Sequence, residues 1–118
     1  MMVQFAFADN MQAFMECKDE FKVTKEEIIA DGSSQELKCF GECLLKKTGC
    51  MDEAGNFDEN KIREEGNKFA KSDQQKEKFE ATMRTCLEEA KPATGKCEKG
   101  FAFAKCMRAQ MKREIQAQ

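Results

Sequence analysis

The chain of 118 residues contains no histidine, tryptophan or tyrosine and only one proline. Without histidine it lacks the most frequent general base of enzymes and a principal ligand of zinc. It also has no Cys-x-x-Cys pair, the usual motif of a zinc site or a dithiol redox site. No nucleophile motif is visible. We therefore predict that the protein is not an enzyme and carries no metal or cofactor.

Long apolar runs and an excess of positive charge are missing as well. No segment reaches the apolar length of a membrane span. Lys and Arg number 20 against 22 Asp and Glu, for a net charge of −2, with no basic patch. Nucleic acid is therefore not an expected partner. The lack of a basic amphipathic face also argues against a membrane-active defence protein.

The start of the chain, "MMVQFAFADNMQAF", lacks the basic region and long apolar region of a signal peptide. The protein is then either intracellular or the mature form of a secreted one. Seven cysteines are many for a reducing compartment, which favours structural disulfides and secretion. A chain of this length has room for one domain, which we place at residues 1–118.

Helix signals are frequent in this sequence. Three capping-box patterns mark helix starts: Thr24 with Glu27, Ser33 with Glu36, and Ser72 with Gln75. Stops are predicted at Gly49, at Gly66 and at the pair Lys91-Pro92. Apolar residues recur at helical spacing between these marks, in the stripes Val3-Phe7-Met11-Phe14, Leu37-Phe40-Leu44 and Phe79-Met83-Leu87-Ala90. The sequence predicts an all-α domain of about six helices.

The last helical segment, from about residue 94 to 115, is apolar on two sides. Phe101 and Ala104 lie on one side, and Phe103, Met107 and Met111 lie on the other. A helix with two apolar sides is normally central. Two arrangements are open for the polar end of this segment, a fold back over a cavity or an exposed helix end with Met111 and Ile115 docked. Its polar composition favours the exposed helix end.

Helix geometry restricts how the cysteines can pair. Cys39 and Cys43 are one turn apart and project from the same face. Cys97 and Cys106 are half a rotation apart, so they must bond to elements on opposite sides. The simplest solution ties the helix of Cys39 to both the first and the last helix, and the helix of Cys86 to the last. Spacing alone leaves fifteen connectivities for six cysteines.

The cysteine spacing resembles that of insect odorant-binding proteins of the six-cysteine, pheromone-binding type. Between Cys17, Cys39, Cys43, Cys86, Cys97 and Cys106 lie 21, 3, 42, 10 and 8 residues. The stretch "KCFGECLLKKTGCMDEAGNFDENKI" is similar to the second and third helices of that family. The resemblance implies the pairs Cys17–Cys43, Cys39–Cys97 and Cys86–Cys106, and it leaves Cys50 as an additional free thiol.

The resemblance also implies a function. It points to a secreted carrier in olfaction that holds odorants, pheromones or related lipids in an internal apolar cavity and transports them through aqueous lymph. It implies a small apolar ligand as the partner, an encounter with a chemosensory receptor or a membrane at delivery, and a monomer or a weak or disulfide-linked homodimer. The alternative from the cysteine spacing is a helical interaction protein of the mitochondrial intermembrane space.

The expected cavity walls come from ten Phe and eight Met, although such stripes are equally typical of a plain core. The candidate ligand-binding residues on helices one, four and six are Met11, Met15, Phe69, Phe79, Met83, Phe101 and Met107. Hydrogen bonds to a ligand would have to come from Ser, Thr, Asn, Gln, Lys or the backbone.

The segment "CMDEAGNFDENK" has the glycine spacing of a calcium loop but places Cys50 and Lys61 where ligands are required. It is therefore interpreted as a turn before an Asp58 helix cap. Because Cys50 follows Gly49 at a helix end, we expect its thiol to be partly exposed and able to bridge two molecules.

Overall fold

The structure is a computed structural model that describes the backbone of residues 2–30 and 32–117 and the side chains of residues 11–30 and 32–110. Within these residues the chain forms six α-helices. They are α1 (Met2–Phe21), α2 (Lys25–Ile29), α3 (Gln35–Lys47), α4 (Glu59–Asn67), α5 (Asp73–Ala90) and α6 (Glu98–Ala117). The prediction of an all-α fold with about six helices is confirmed.

Side chains at the predicted positions cap three of the helices. At Thr24 both halves of the capping box are present, since its hydroxyl accepts from the amide of Glu27 at 3.1 Å and the Glu27 carboxylate accepts from the amide of Thr24 at 3.3 Å. The hydroxyl of Ser72 accepts from the amide of Gln75 at 3.1 Å. Asp58 caps α4 in the same way, accepting from the amide of Lys61 at 3.0 Å.

Two predicted helix boundaries are wrong. Ser34, not Ser33, caps α3 and accepts from the amide of Leu37 at 3.2 Å. The two serines are adjacent, and the use of Ser34 makes Gln35 the first helical residue, whose side-chain amide donates to the carbonyl of Lys96 at 3.0 Å. Gly66 lies inside α4 instead of ending it. Its lack of a side chain makes room for a ring from α5.

Three disulfides connect the helices. Cys17–Cys43 joins α1 to α3, Cys39–Cys97 joins α3 to the residue before α6, and Cys86–Cys106 joins α5 to α6. This is the pairing that the family resemblance implies. In a chain-entropy model each bridge stabilises the fold by about 3 to 4 kcal/mol, because it constrains the unfolded chain.

Helix α6 lies between α3 and α5 and packs against both. Phe103 is 4% exposed and belongs to a buried cluster with Ile62 of α4 and Met83 and Leu87 of α5. The side of α6 that carries Phe101 turns toward α3. The prediction that the last helix is central is therefore confirmed. A second cluster joins α1 to α3, and its buried members are Cys17, Val23, Leu37, Phe40 and Cys43.

The expected exposure of Cys50 is wrong. Its side chain is 6% exposed and lies in the cluster around α5 and α6. The chain folds back directly after Gly49, because the amides of Cys50 and Met51 both donate to the carbonyl of Leu45, at 2.9 and 3.1 Å. The amide of Asp58 donates in turn to the carbonyl of Cys50 at 2.8 Å. This turn places the thiol inside, so a bridge to a second molecule would require the core to open.

Candidate ligand-binding site

An apolar pocket of about 210 Å³ lies between α3 and α6. Helix α3 contributes four apolar side chains from one face, Leu37, Phe40, Leu44 and Leu45. Leu37, Phe40 and Leu44 follow one another at three and four residues, and Leu45 is next to Leu44, so the four lie on adjacent turns along one side of the helix. Ile28 of α2 and the following Gly32 complete this wall.

Helix α6 forms the opposite wall with Phe101, Ala104, Lys105 and Arg108. Ala104 and Lys105 are adjacent, and each lies three or four positions from Phe101 and from Arg108. The four residues therefore share one face of the helix. The close packing of α6 on α3 requires Gly100, since a Cβ there would lie 3.0 Å from the Cα of Glu42. The two facing stripes of apolar residues predicted from the sequence thus become the two walls of one pocket.

The charged groups in the described lining are all cationic. Lys105 and Arg108 belong to the pocket wall, and both side chains are exposed to solvent as well. The ammonium groups of Lys38 and Lys105 lie 5.4 and 5.8 Å from the centroid of the Phe101 ring. Lys38 also forms an ion pair with Glu98 at 2.8 Å. The pocket therefore combines an apolar interior with a positively charged side.

The polar side chain of Thr48 in this pocket is engaged with its own helix. Its hydroxyl lies 2.8 Å from the carbonyl oxygen of Leu44 and 3.2 Å from that of Leu45, and it donates to these acceptors. A ligand can still use the lone pairs of this hydroxyl oxygen. The wall thus offers a ligand mainly apolar area and positive charge.

Two other pockets have a mixed polar character. One of about 550 Å³ surrounds the Cys39–Cys97 disulfide and carries both acidic and basic side chains, among them Glu20, Lys47 and Glu53. A second, of about 510 Å³, adjoins the same disulfide next to Gly95. Neither offers the apolar walls that a hydrophobic ligand requires.

The structure brings one of the seven predicted ligand-binding residues, Phe101, into the α3–α6 pocket. Met83 is 0% exposed and fills the core, where Phe79 and Met107 pack beside it. These three lie at the centre of the fold, as expected for inward residues, but they line none of the pockets described above.

Met11, Met15 and Phe69 are not buried, in contrast to the expectation. Both methionines are 49% exposed, and Phe69 is 54% exposed. Helix α1 buries Ala13 and Cys17. Of the predicted stripe, Phe14 packs edge to face on Phe40 with ring centroids 5.4 Å apart, whereas Met11 is exposed. Phe69 follows the end of α4, where the chain turns at the surface. The predicted roles of Val3, Phe7, Met111 and Ile115 fall outside the described side chains.

Sequence reasoning recognised the apolar stripes of α3 and α6 but assigned only Phe101 to the site. Leu37, Phe40 and Leu44 were identified as one helical stripe, and Ala104 as part of another. The missing information was that the two stripes face each other across a gap. Lys105 and Arg108 carried no signal beyond their positions, which are four residues after Phe101 and Ala104 respectively.

Comparison with known proteins identifies the family. A model of the PBP/GOBP family matches residues 5–110. General odorant-binding protein 19d of Drosophila melanogaster is 30% identical over 102 residues, which cover 82% of this chain and 68% of that protein. Pheromone-binding protein Gp-9 of Solenopsis sp. (strain X) is 31% identical over 107 residues, with 79% and 69% covered. The chain belongs to the PBP/GOBP family.

The fold agrees with this assignment. The solved structure of odorant-binding protein dmelOBP28a from Drosophila melanogaster superposes with a TM-score of 0.64 at 21% identity, over 95% of this chain and 97% of that one. At this identity the likeness concerns the fold alone. The relatives are named as binding proteins rather than as enzymes or as mitochondrial proteins. None of the helices in the described residues is both long and apolar enough to cross a membrane.

Proposed function

We propose that this member of the PBP/GOBP family is a secreted, non-enzymatic carrier of small apolar ligands, such as odorants, pheromones or related lipids. The observation that carries the proposal is the pocket between α3 and α6, whose wall is formed by Leu37, Phe40, Leu44 and Phe101. Burial of a ligand against these side chains contributes about 25 cal/mol per Å² of apolar surface. Transport through an aqueous lymph requires this kind of shielding.

The disulfides support the same function. A covalently constrained helix bundle tolerates a hollow interior, which otherwise costs stability through lost packing contacts. Here Cys39–Cys97 ties α3 to the residue before α6, so it links the two helices that form the pocket walls. The two walls are thereby held at a fixed separation without having to fill the space between them. On this proposal the ligand is delivered by an encounter with a membrane or a chemosensory receptor.

Displacement of a fluorescent apolar probe tests the proposal. We expect wild-type protein to bind the probe and to release it when medium-chain alcohols, aldehydes or esters are added. Ala104→Leu adds volume inside the pocket and should weaken probe binding about fivefold or more, as expected for overpacking of about 1 kcal/mol. Ala109→Leu is the matched control, because Ala109 is exposed on α6 and outside the pocket wall.

The result that would overturn the proposal is equally specific. If wild-type protein does not bind the probe, the protein is not a carrier of apolar ligands. If both leucine variants bind the probe as the wild type does, the ligand does not occupy the pocket between α3 and α6. Circular dichroism of both variants establishes that a loss of binding is not a loss of fold.

A further inference from the structure

We propose that the α3–α6 pocket selects amphiphiles with a carboxylate head group, which is held by Lys105 and Arg108 while the chain lies against Leu44 and Phe101. The proposal rests on the proposed carrier function and specifies the class of ligand for the same site. It predicts a preference for a medium-chain carboxylate over a neutral alcohol of the same length.

The two charged groups in the described lining of this pocket are close to its apolar wall. Lys105 and Arg108 are three residues apart on α6 and follow Phe101 and Ala104 on the same face. The ammonium group of Lys105 lies 5.8 Å from the centroid of the Phe101 ring, directly beside an apolar wall. A ligand chain that packs on this ring therefore brings its polar end within reach of the lysine.

The charged groups of the described lining are all positive. Within the described lining of this pocket there is no Asp or Glu, although the chain as a whole carries a net charge of −2. The two larger pockets, by contrast, include Glu42 and Glu53 together with their lysines. The positive character is thus local to the apolar pocket. It is not a consequence of overall charge, so any preference for an anion must arise there.

Cationic side chains interact more strongly with a carboxylate than with a hydroxyl. A guanidinium presents a planar pair of donors that matches the two oxygens of a carboxylate, and an ammonium adds a strong point charge. A hydroxyl gains far less from these groups, because its oxygen carries only partial charge. The apolar wall next to Lys105 limits access of water on one side, which strengthens the attraction relative to open solvent.

The size of the pocket limits the length of the chain. A cavity of about 150 Å³ lined by Leu, Ile and Phe accommodates benzene. The pocket here, at about 210 Å³, accommodates a somewhat larger apolar group with the head left at the charged side. An eight-carbon chain is therefore a suitable probe.

The experiment compares octanoate with octanol as competitors of the fluorescent probe at pH 7. In wild-type protein octanoate should displace the probe at a concentration about fivefold lower than octanol, as expected for one partly exposed ionic contact of about 1 kcal/mol. Lys105→Gln should bring this ratio close to one and leave the concentration of octanol that displaces the probe unchanged. Raising the salt concentration should reduce the ratio, because it screens exposed charges.

Lys99→Gln provides the matched control, since Lys99 is on the same helix, outside the apolar pocket. It removes the same charge from the molecule and should preserve the ratio. If octanoate and octanol compete equally in wild-type protein, or if the ratio survives both Lys105→Gln and the double variant Lys105→Gln/Arg108→Gln, the carboxylate proposal is wrong. If neither compound displaces the probe, the carrier function itself fails.

Discussion

Cys50 is a cysteine that follows a helix end in the sequence yet lies in the core of the protein. Its 6% exposure places the thiol in the cluster that includes Ile62 and Phe103. Burial raises the pKa of the Cys50 thiol, because the charged thiolate loses its hydration there. A protonated, buried thiol is a weak nucleophile and acts as a small apolar side chain.

We predict that Cys50 is protected from thiol reagents in the native protein. Modification with a chromogenic disulfide reagent at pH 8 should be at least about a hundredfold slower than in guanidinium chloride, because native reaction requires opening of the core. In denaturant one thiol per chain should react, since the three disulfides use six of the seven cysteines. Rapid labelling of the native protein, or a dimer on a non-reducing gel that Cys50→Ala removes, would contradict this.

At the scale of helices, the contact of α4 with α5 depends on Gly66. A Cβ on Gly66 would lie within the ring of Phe79, so the side chain of Phe79 packs directly on the backbone of α4. The same two helices are joined by Arg63 and Glu80, whose guanidinium and carboxylate groups contact each other at 2.8 to 3.0 Å. An alanine, although a better helix former than glycine, does not fit at this position.

We predict that Gly66→Ala lowers the free energy of unfolding by about 1 to 3 kcal/mol, the usual cost of overpacking. Gly41→Ala is the control inside α3, where a Cβ has nothing within 4 Å, and it should stabilise by about 0.5 to 1 kcal/mol through helix propensity. Urea denaturation without ligand measures both. In the background of Phe79→Leu, Gly66→Ala should lower the free energy of unfolding by less than it does in the wild type, because the ring next to Gly66 is gone. A gain in stability from Gly66→Ala would contradict the contact with the ring.

The helices differ in how well the sequence predicted them. Caps such as Thr24 and Asp58 could be predicted because a cap is a local hydrogen bond between residues three positions apart. The inward face of α1 could not be predicted in this way. Apolar residues lie on two neighbouring sides of this helix, and only the disulfide of Cys17 shows which side packs against α3. Gly66 was assigned to a helix end because glycine is typical there, and nothing local indicated the ring of α5.

The candidate site was predictable only in its parts. Phe101 and Leu44 each belong to a helical stripe that the sequence displays. That they face one another follows from tertiary constraints, namely the Cys39–Cys97 disulfide and the close approach at Gly100. Both constraints join residues that are far apart in the chain, whereas periodicity describes only residues within one helix. The positions of Lys105 and Arg108 at the pocket can be recognised only once α3 and α6 are packed together.

In the whole molecule, α6 is joined to its neighbours by two disulfides and by its packing against α3 and α5. Cys106 ties it to α5, and the residue before it, Cys97, ties it to α3. The apolar pocket lies on the α3 side of this helix, and the main core lies on the other. The main buried core and the candidate pocket thus lie on different sides of one helix. On the proposed function, stability and binding would depend largely on different faces of α6.

The response of the whole molecule to pH follows from its carboxylates, because the chain has no histidine. Hydrogen bonds from Lys47 and Arg63 lower the pKa values of Glu16 and Glu80, and the backbone amide of Asn56 lowers that of Asp52. A carboxyl group with a lowered pKa in the folded state stabilises the fold above its unfolded pKa, which is near 4. This contribution is lost as the pH falls through the folded-state pKa.

We therefore predict that the free energy of unfolding is nearly constant from about pH 8 to 5.5 and declines below about pH 4.5, where unfolded carboxyl groups begin to bind protons. Glu80→Gln should make the decline shallower, since it removes one of the groups responsible. Lys76→Gln is the control, a charge change elsewhere on α5 that should leave the decline unaltered. Binding of octanol, which does not itself titrate, should follow the same profile as the wild-type stability. Urea denaturation and probe displacement across this range measure both quantities. A tenfold weakening of octanol binding centred near pH 6 would contradict the prediction, because it requires a carboxyl group with a strongly raised pKa next to the pocket.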